Sequence, residues 1–79
     1  MRKRPAVRLK LEVLWKRLEA LNASQAWLAR EVGMSHGYLS TLIKERRAPS
    51  GPLRRRLQAA LGISDFDELF ELEERDENE

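Results

Sequence analysis

Apolar residues recur along this chain three or four positions apart, and turn signals divide the pattern into five segments. Val7, Leu11, Leu14, Trp15, Leu18 and Leu21 form one stripe. It predicts a first helix over about Ala6–Leu21, with Pro5 suited to its opening turn. The link Asn22-Ala23-Ser24 follows, and Ser24 is suited to cap a second helix. There Leu28, Ala29 and Val32 fall at i, i+1 and i+4. Leu39, Leu42 and Ile43, at i, i+3 and i+4, form the apolar face of a third helix, over about Ser35–Lys44. Between the two, Val32-Gly33-Met34-Ser35 reads as a stop and a restart. Gly33 takes the left-handed conformation that ends a helix easily, and Ser35 can accept from the free N–H groups of the next one. Pro49-Ser50-Gly51-Pro52 is the clearest breaker. Ser50 or Gly51 caps a fourth helix, Leu53, Leu57, Ala60 and Leu61 give its apolar face, and Gly62 ends it. Ser64 is the expected cap of a fifth helix, with Asp67 three residues on, and Phe66, Leu69 and Phe70 would close the core. No strand and no internal repeat is expected. The fold class read from this pattern is all-α, with one domain over residues 1–72. The acidic end, residues 73–79, is expected to be a frayed tail.

Composition narrows the chemistry. Seventy-nine residues make one small domain with a modest core. There is no cysteine and only one histidine, His36, so His/Cys metal centres and thiol nucleophiles are excluded. Carboxylates are plentiful, yet they cluster toward the end of the chain and not beside apolar pocket residues. The expectation is a non-enzyme without catalytic residues, metal or cofactor. Arg2, Lys3 and Arg4 resemble the start of a signal peptide, but Arg8, Lys10 and Glu12 interrupt the apolar region that should follow. Apolar runs are only a few residues long, so no membrane span is expected and the chain reads as soluble and cytoplasmic. The net charge of +2 conceals a division: residues 1–64 hold 14 Lys/Arg against 4 Asp/Glu, and residues 65–79 hold 1 Arg against 9 Asp/Glu. A basic body with an acidic end suits a domain that binds a polyanion and carries a separate terminal segment.

The stretch Gln25–Arg47 has the form of a helix-turn-helix unit, whose second helix usually lies in the DNA major groove. Helical geometry puts Ser35, His36, Gly37, Ser40, Thr41 and Lys44 on the outer face of the third helix. His36 can donate to a guanine acceptor and the Thr41 methyl can meet a thymine methyl. Gly37 has no side chain, which allows close approach at the cost of about 1 kcal/mol of helix propensity. This reading surface has no Arg, Asn or Gln fork, so DNA shape is expected to supply part of the selectivity. Candidate phosphate contacts are Gln25 at the start of the second helix, Tyr38 at the groove wall, and Lys44, Arg46 and Arg47 after the recognition helix. Arg54, Arg55 and Arg56 lie about 100 degrees apart, so only one or two, Arg54 first, can share that surface. Arg2, Lys3 and Arg4 suit either a flexible arm along DNA or a disordered end. Trp15, beside Leu11, Leu14 and Leu18, is expected in the core. Trp27 is open to two readings: it folds back on the first helix, or it anchors another protein.

Residues 24–70 resemble the helix-turn-helix domain of the phage-repressor family, the Cro-like or XRE-type regulators. The resemblance is carried by Ser24-Gln25, Leu28-Ala29, Val32-Gly33-Met34-Ser35, Leu39-Ser40 and Leu42. It continues in Pro49-Ser50, Leu57, Ala60-Leu61-Gly62-Ile63-Ser64 and Asp67-Glu68-Leu69-Phe70. It covers roughly 47 of 79 residues, and its specificity lies in the ordered set. It implies a five-helix DNA-binding domain, with His36, Gly37 and Thr41 in the main base-contact positions. It further implies a transcriptional regulator, expected to be a repressor, acting on double-stranded DNA as a homodimer in a bacterial or phage setting. Trp27, Ile43 and Glu45 depart from the family, which often has a polar residue, Glu and Gly there. Two alternatives stand beside this reading. One is an antitoxin whose acidic C-terminal segment engages a basic toxin, and the other an interaction adaptor that keeps the fold without binding DNA. A protein partner would use Trp27 or that acidic segment.

Overall fold

In a computed structural model, which describes residues 3–76, five helices are joined by a two-stranded antiparallel sheet. The order is β1 (Lys3–Leu9), α1 (Leu11–Ala20), α2 (Gln25–Val32), α3 (His36–Lys44), α4 (Gly51–Leu61), α5 (Phe66–Leu69) and β2 (Phe70–Asp76). The core is almost entirely aliphatic. Leu14, Leu18, Leu28, Leu39, Leu42, Leu57, Leu61 and Leu69 are buried, with Phe70 the largest side chain among them. Each contributes about 1.5–3 kcal/mol by leaving water, which is how so short a chain sustains a fold.

The helix ends follow local chemistry. Ser24, Ser35 and Ser50 each accept through Oγ from the backbone N–H three residues on, at Trp27, Tyr38 and Leu53. Gly33 and Gly62 close α2 and α4 in the left-handed conformation, at φ 85° and 69°. Arg17 reaches from α1 to the end of α4, where its Nε donates to Leu61 O at 2.7 Å. That bond satisfies a carbonyl the helix itself leaves free.

The sheet corrects the expectation of an all-α chain without strands, to a mostly helical fold with one two-stranded sheet, and it overturns two more specific expectations. The first helix was expected from about Ala6, but Lys3–Leu9 is a strand and α1 begins at Leu11. The segment expected to fray after Leu72 continues as β2 through Asp76, so residues 73–76 belong to the sheet and only 77–79 lie outside the described residues. The register runs from Lys3 opposite Asp76 to Leu9 opposite Phe70. Its physical basis is visible in the pairs. Leu9 and Phe70 face each other and are both buried, Val7 faces Leu72, and Arg8 faces Glu71. The Lys10 N–H extends the ladder by donating to Leu69 O at 2.8 Å. Arg8 is buried, and its Nε lies 3.2 Å from Glu73 Oε1. Lys3 and Arg4, expected in a flexible arm or a disordered end, have their backbone in β1; Arg2 lies outside the described residues.

Two smaller corrections concern side chains. Asp65, not Ser64, caps α5, and its Oδ1 accepts from Asp67 N at 3.1 Å. Trp15 is 44% exposed, because α1 turns Leu14 and Leu18 inward and leaves Trp15 at the margin of that stripe. Trp27 is half-buried and packs on the core cluster.

Candidate nucleic-acid interface

The candidate surface is built around α3. Leu39 and Leu42 anchor this helix in the core, and Ile43 packs on its edge. The remaining positions are thereby turned outward. Ser35, His36, Gly37, Tyr38 and Lys44 are exposed, and Ser40 and Thr41 are half-buried beside them. A Cβ added at Gly37 would meet nothing within 4 Å, so glycine at this position leaves open space in front of the helix. The five residues expected to read bases therefore share one end and one side of α3.

Gln25 has a more specific role than its position suggested. Its Nε2 donates to Ser40 Oγ at 2.9 Å, across the angle between α2 and α3. The bond is part-buried and directs the amide at α3. Ser40 is correspondingly half engaged: its hydroxyl accepts from Gln25 and retains its own proton to donate.

The exit of α3 resolves a difficulty in the sequence. Glu45, where glycine would be expected, stays at φ −92°, and the left-handed residue is the next one, Arg46, at φ 53°. The backbone closes by Arg46 N–H to Ile43 O and Arg47 N–H to Leu42 O, at 3.3 and 3.1 Å. Moving the positive φ one residue on keeps the turn without glycine, at some conformational cost at Arg46. The two arginines then diverge. Arg47 Nε donates to Glu45 Oε1 at 2.8 Å, and Arg46 Nη2 lies 3.5 Å from Glu71 Oε2 on β2. Arg54 Nη1 donates to Pro49 O at 2.9 Å, and fastens the loop that precedes α4. Of the cations expected to meet phosphate, Arg46, Arg47 and Arg54 thus each have a partner within the chain. No reading of the sequence anticipated the contact with Glu71, because it depends on β2, which was not expected to be a strand.

Among the described residues, no group of three His, Cys, Asp or Glu is placed to share a metal ion, and no helix is long and apolar enough to cross a membrane. Among the described residues, several surface depressions are open clefts. One lies along α4 between Arg55, Gln58 and Ile63, and another lies between the start of α1 and β2, with Arg46 and Glu71 in its wall. Comparison with family models, with curated proteins and with solved structures finds no match to this chain.

Proposed function

We propose that this protein is a sequence-specific DNA-binding regulator, in which α2 and α3 form a helix-turn-helix unit and α3 is the recognition helix. The observation that carries this reading is the outer face of α3. Five small or polar residues, Ser35, His36, Gly37, Ser40 and Thr41, lie on a helix anchored by Leu39 and Leu42 and bounded by Lys44, Arg46 and Arg47. Short side chains at the entrance of such a helix let its backbone come near base edges, and cations at its end meet phosphates. Such a protein does no covalent chemistry and requires no cofactor. The resemblance to phage-repressor-type regulators supports the same reading.

One recognition helix spans only a few base pairs, so two copies are needed for useful specificity. We place the dimer contact at Leu72, which is 68% exposed on β2. The expected outcome of occupying a promoter is repression, in the cytoplasm.

The test is selection from a pool of random DNA duplexes with the full chain, followed by salt titration of the winner. An inverted repeat with half-sites about 10 base pairs apart is expected. Affinity should fall with a log–log salt slope of about −0.9 per phosphate neutralised. Failure to enrich any sequence, or a flat salt dependence, overturns the proposal.

A further inference from the structure

We infer that Glu71 acts as an internal substitute for a DNA phosphate, holding Arg46 in the free protein and giving it up when DNA arrives. The inference rests on the DNA-binding reading above and goes beyond it, since it makes the acidic strand a regulator of affinity.

The geometry joins two elements distant in sequence. Arg46 follows α3 directly, and its left-handed backbone turns the chain away from the helix axis. Glu71 is the second residue of β2, fixed there by its place opposite Arg8 in the ladder and by its neighbour Phe70, which is buried in the core. The carboxylate thus has a rigid mount. Arg46 Nη2 lies 3.5 Å from Glu71 Oε2, and the two side chains are 48% and 52% exposed. Half-exposure decides the character of the pair. It is wet enough to be exchanged without disturbing the core, and it is not locked by desolvation. The cleft beside it is lined by Lys10 and Glu12 as well, one charge of each sign, and Arg8, opposite Glu71 in the ladder, has its Nε on Glu73. Lys10 is itself engaged, since its Nζ donates to Asp67 O at 2.7 Å.

A carboxylate and a phosphate offer arginine the same fork of acceptors. Contact with DNA therefore exchanges one anion for another at Arg46. Two consequences follow. Affinity is lower than the count of cations near α3 implies, for every DNA sequence alike. The salt dependence is lower as well. A free arginine meeting phosphate releases a counterion from DNA, contributing about −0.9 to the slope. An arginine leaving Glu71 exposes a carboxylate that attracts cations from solution, which offsets part of that release.

The experiment is a double-mutant cycle on the full chain, read by mobility shift or fluorescence anisotropy with one duplex over a range of salt. Glu71→Gln keeps the shape and removes the charge. It is expected to tighten binding by about two- to fivefold near 0.1 M salt, from the size of an exposed ion pair. It should also steepen the slope, by less than about 0.9. Arg46→Gln is expected to flatten the slope of the parent by less than about 0.9, and to abolish the effect of Glu71→Gln when the two are combined. Glu19→Gln, the same charge change on the exposed side of α1, controls for net charge and should leave the slope alone. Equal thermal midpoints of the parent and Glu71→Gln confirm that the fold is intact. If the parent binds DNA and Glu71→Gln behaves like Glu19→Gln, or keeps its effect without Arg46, the exchange is excluded while the DNA-binding reading stands. If the parent binds no DNA at any salt concentration, both are lost.

Discussion

Gln25 Nε2 donates to Ser40 Oγ at 2.9 Å, so the first residue of α2 is tied to the middle of α3. The two helices meet through this bond on their outer side, and through Leu28, Leu39 and the rest of the core on their inner side. Ser40→Ala leaves the Gln25 amide without its acceptor and should lower stability by about 1 kcal/mol in chemical denaturation. Gln25→Ala should cost a similar amount, and the double variant little more than either single one. Fully additive losses would show that the two side chains do not interact in solution.

Gly37 separates stability from function. Its surroundings are open, and its φ is outside the left-handed region, so Gly37→Ala should fit in α3 without strain. The substitution should raise stability by about 0.5–1 kcal/mol, the usual helix preference for alanine. The same methyl would stand between the helix and the base edges, so DNA affinity should fall. A variant that is both more stable and equally tight on DNA would move the close approach away from Gly37.

His36 and Thr41 are expected to read bases, and Arg47 to touch the backbone. Replacing His36 or Thr41 with Ala should reduce binding to the selected duplex more than to a random one, by about 1–3 kcal/mol for a good base-edge contact. Arg47→Ala should weaken both in similar proportion. Parallel competition titrations give the ratio. Identical ratios for the His36 and Arg47 variants would contradict the assigned roles.

Phe70 and Leu72 stand two residues apart on β2 and should behave in opposite ways. Phe70 is 1% exposed, and its ring centroid lies 5.1 Å from that of Phe66. Phe70→Ala should cost about 3–5 kcal/mol, a large part of the stability of a domain this size, and thermal melting should show it. Phe70 is therefore a core residue and has no surface to offer a second copy. Leu72→Asp should leave the fold intact and shift sedimentation from dimer to monomer. A Leu72→Asp variant that sediments like a dimeric parent would place the interface elsewhere.

Helices α2, α3 and α4 were legible in the sequence because their signals are local. Ser24, Ser35 and Ser50 act on the N–H three residues away, and Gly33 and Gly62 end helices by their own φ. The spacing of Leu28, Ala29, Val32, Leu39 and Leu42 likewise sets which face of α2 and α3 is inside, and so by exclusion which residues lie on the candidate surface. The sheet was not legible in that way. Val7 also fits the stripe of a helix beginning before Leu11, although Leu9 falls on the opposite face, and Phe70-Glu71-Leu72-Glu73 alternates for only four residues. Each strand acquires its meaning from a partner some sixty positions away, and only the tertiary structure brings Leu9 opposite Phe70 and Arg8 opposite Glu71. The same holds for the ion pair of Arg46 with Glu71 and for the bond from Gln25 to Ser40. Helix formation depends on neighbours within one turn, which the order of residues displays directly. Strand pairing and long side-chain contacts depend on loop closure and on the packing of everything between, which the order of residues encodes but does not display.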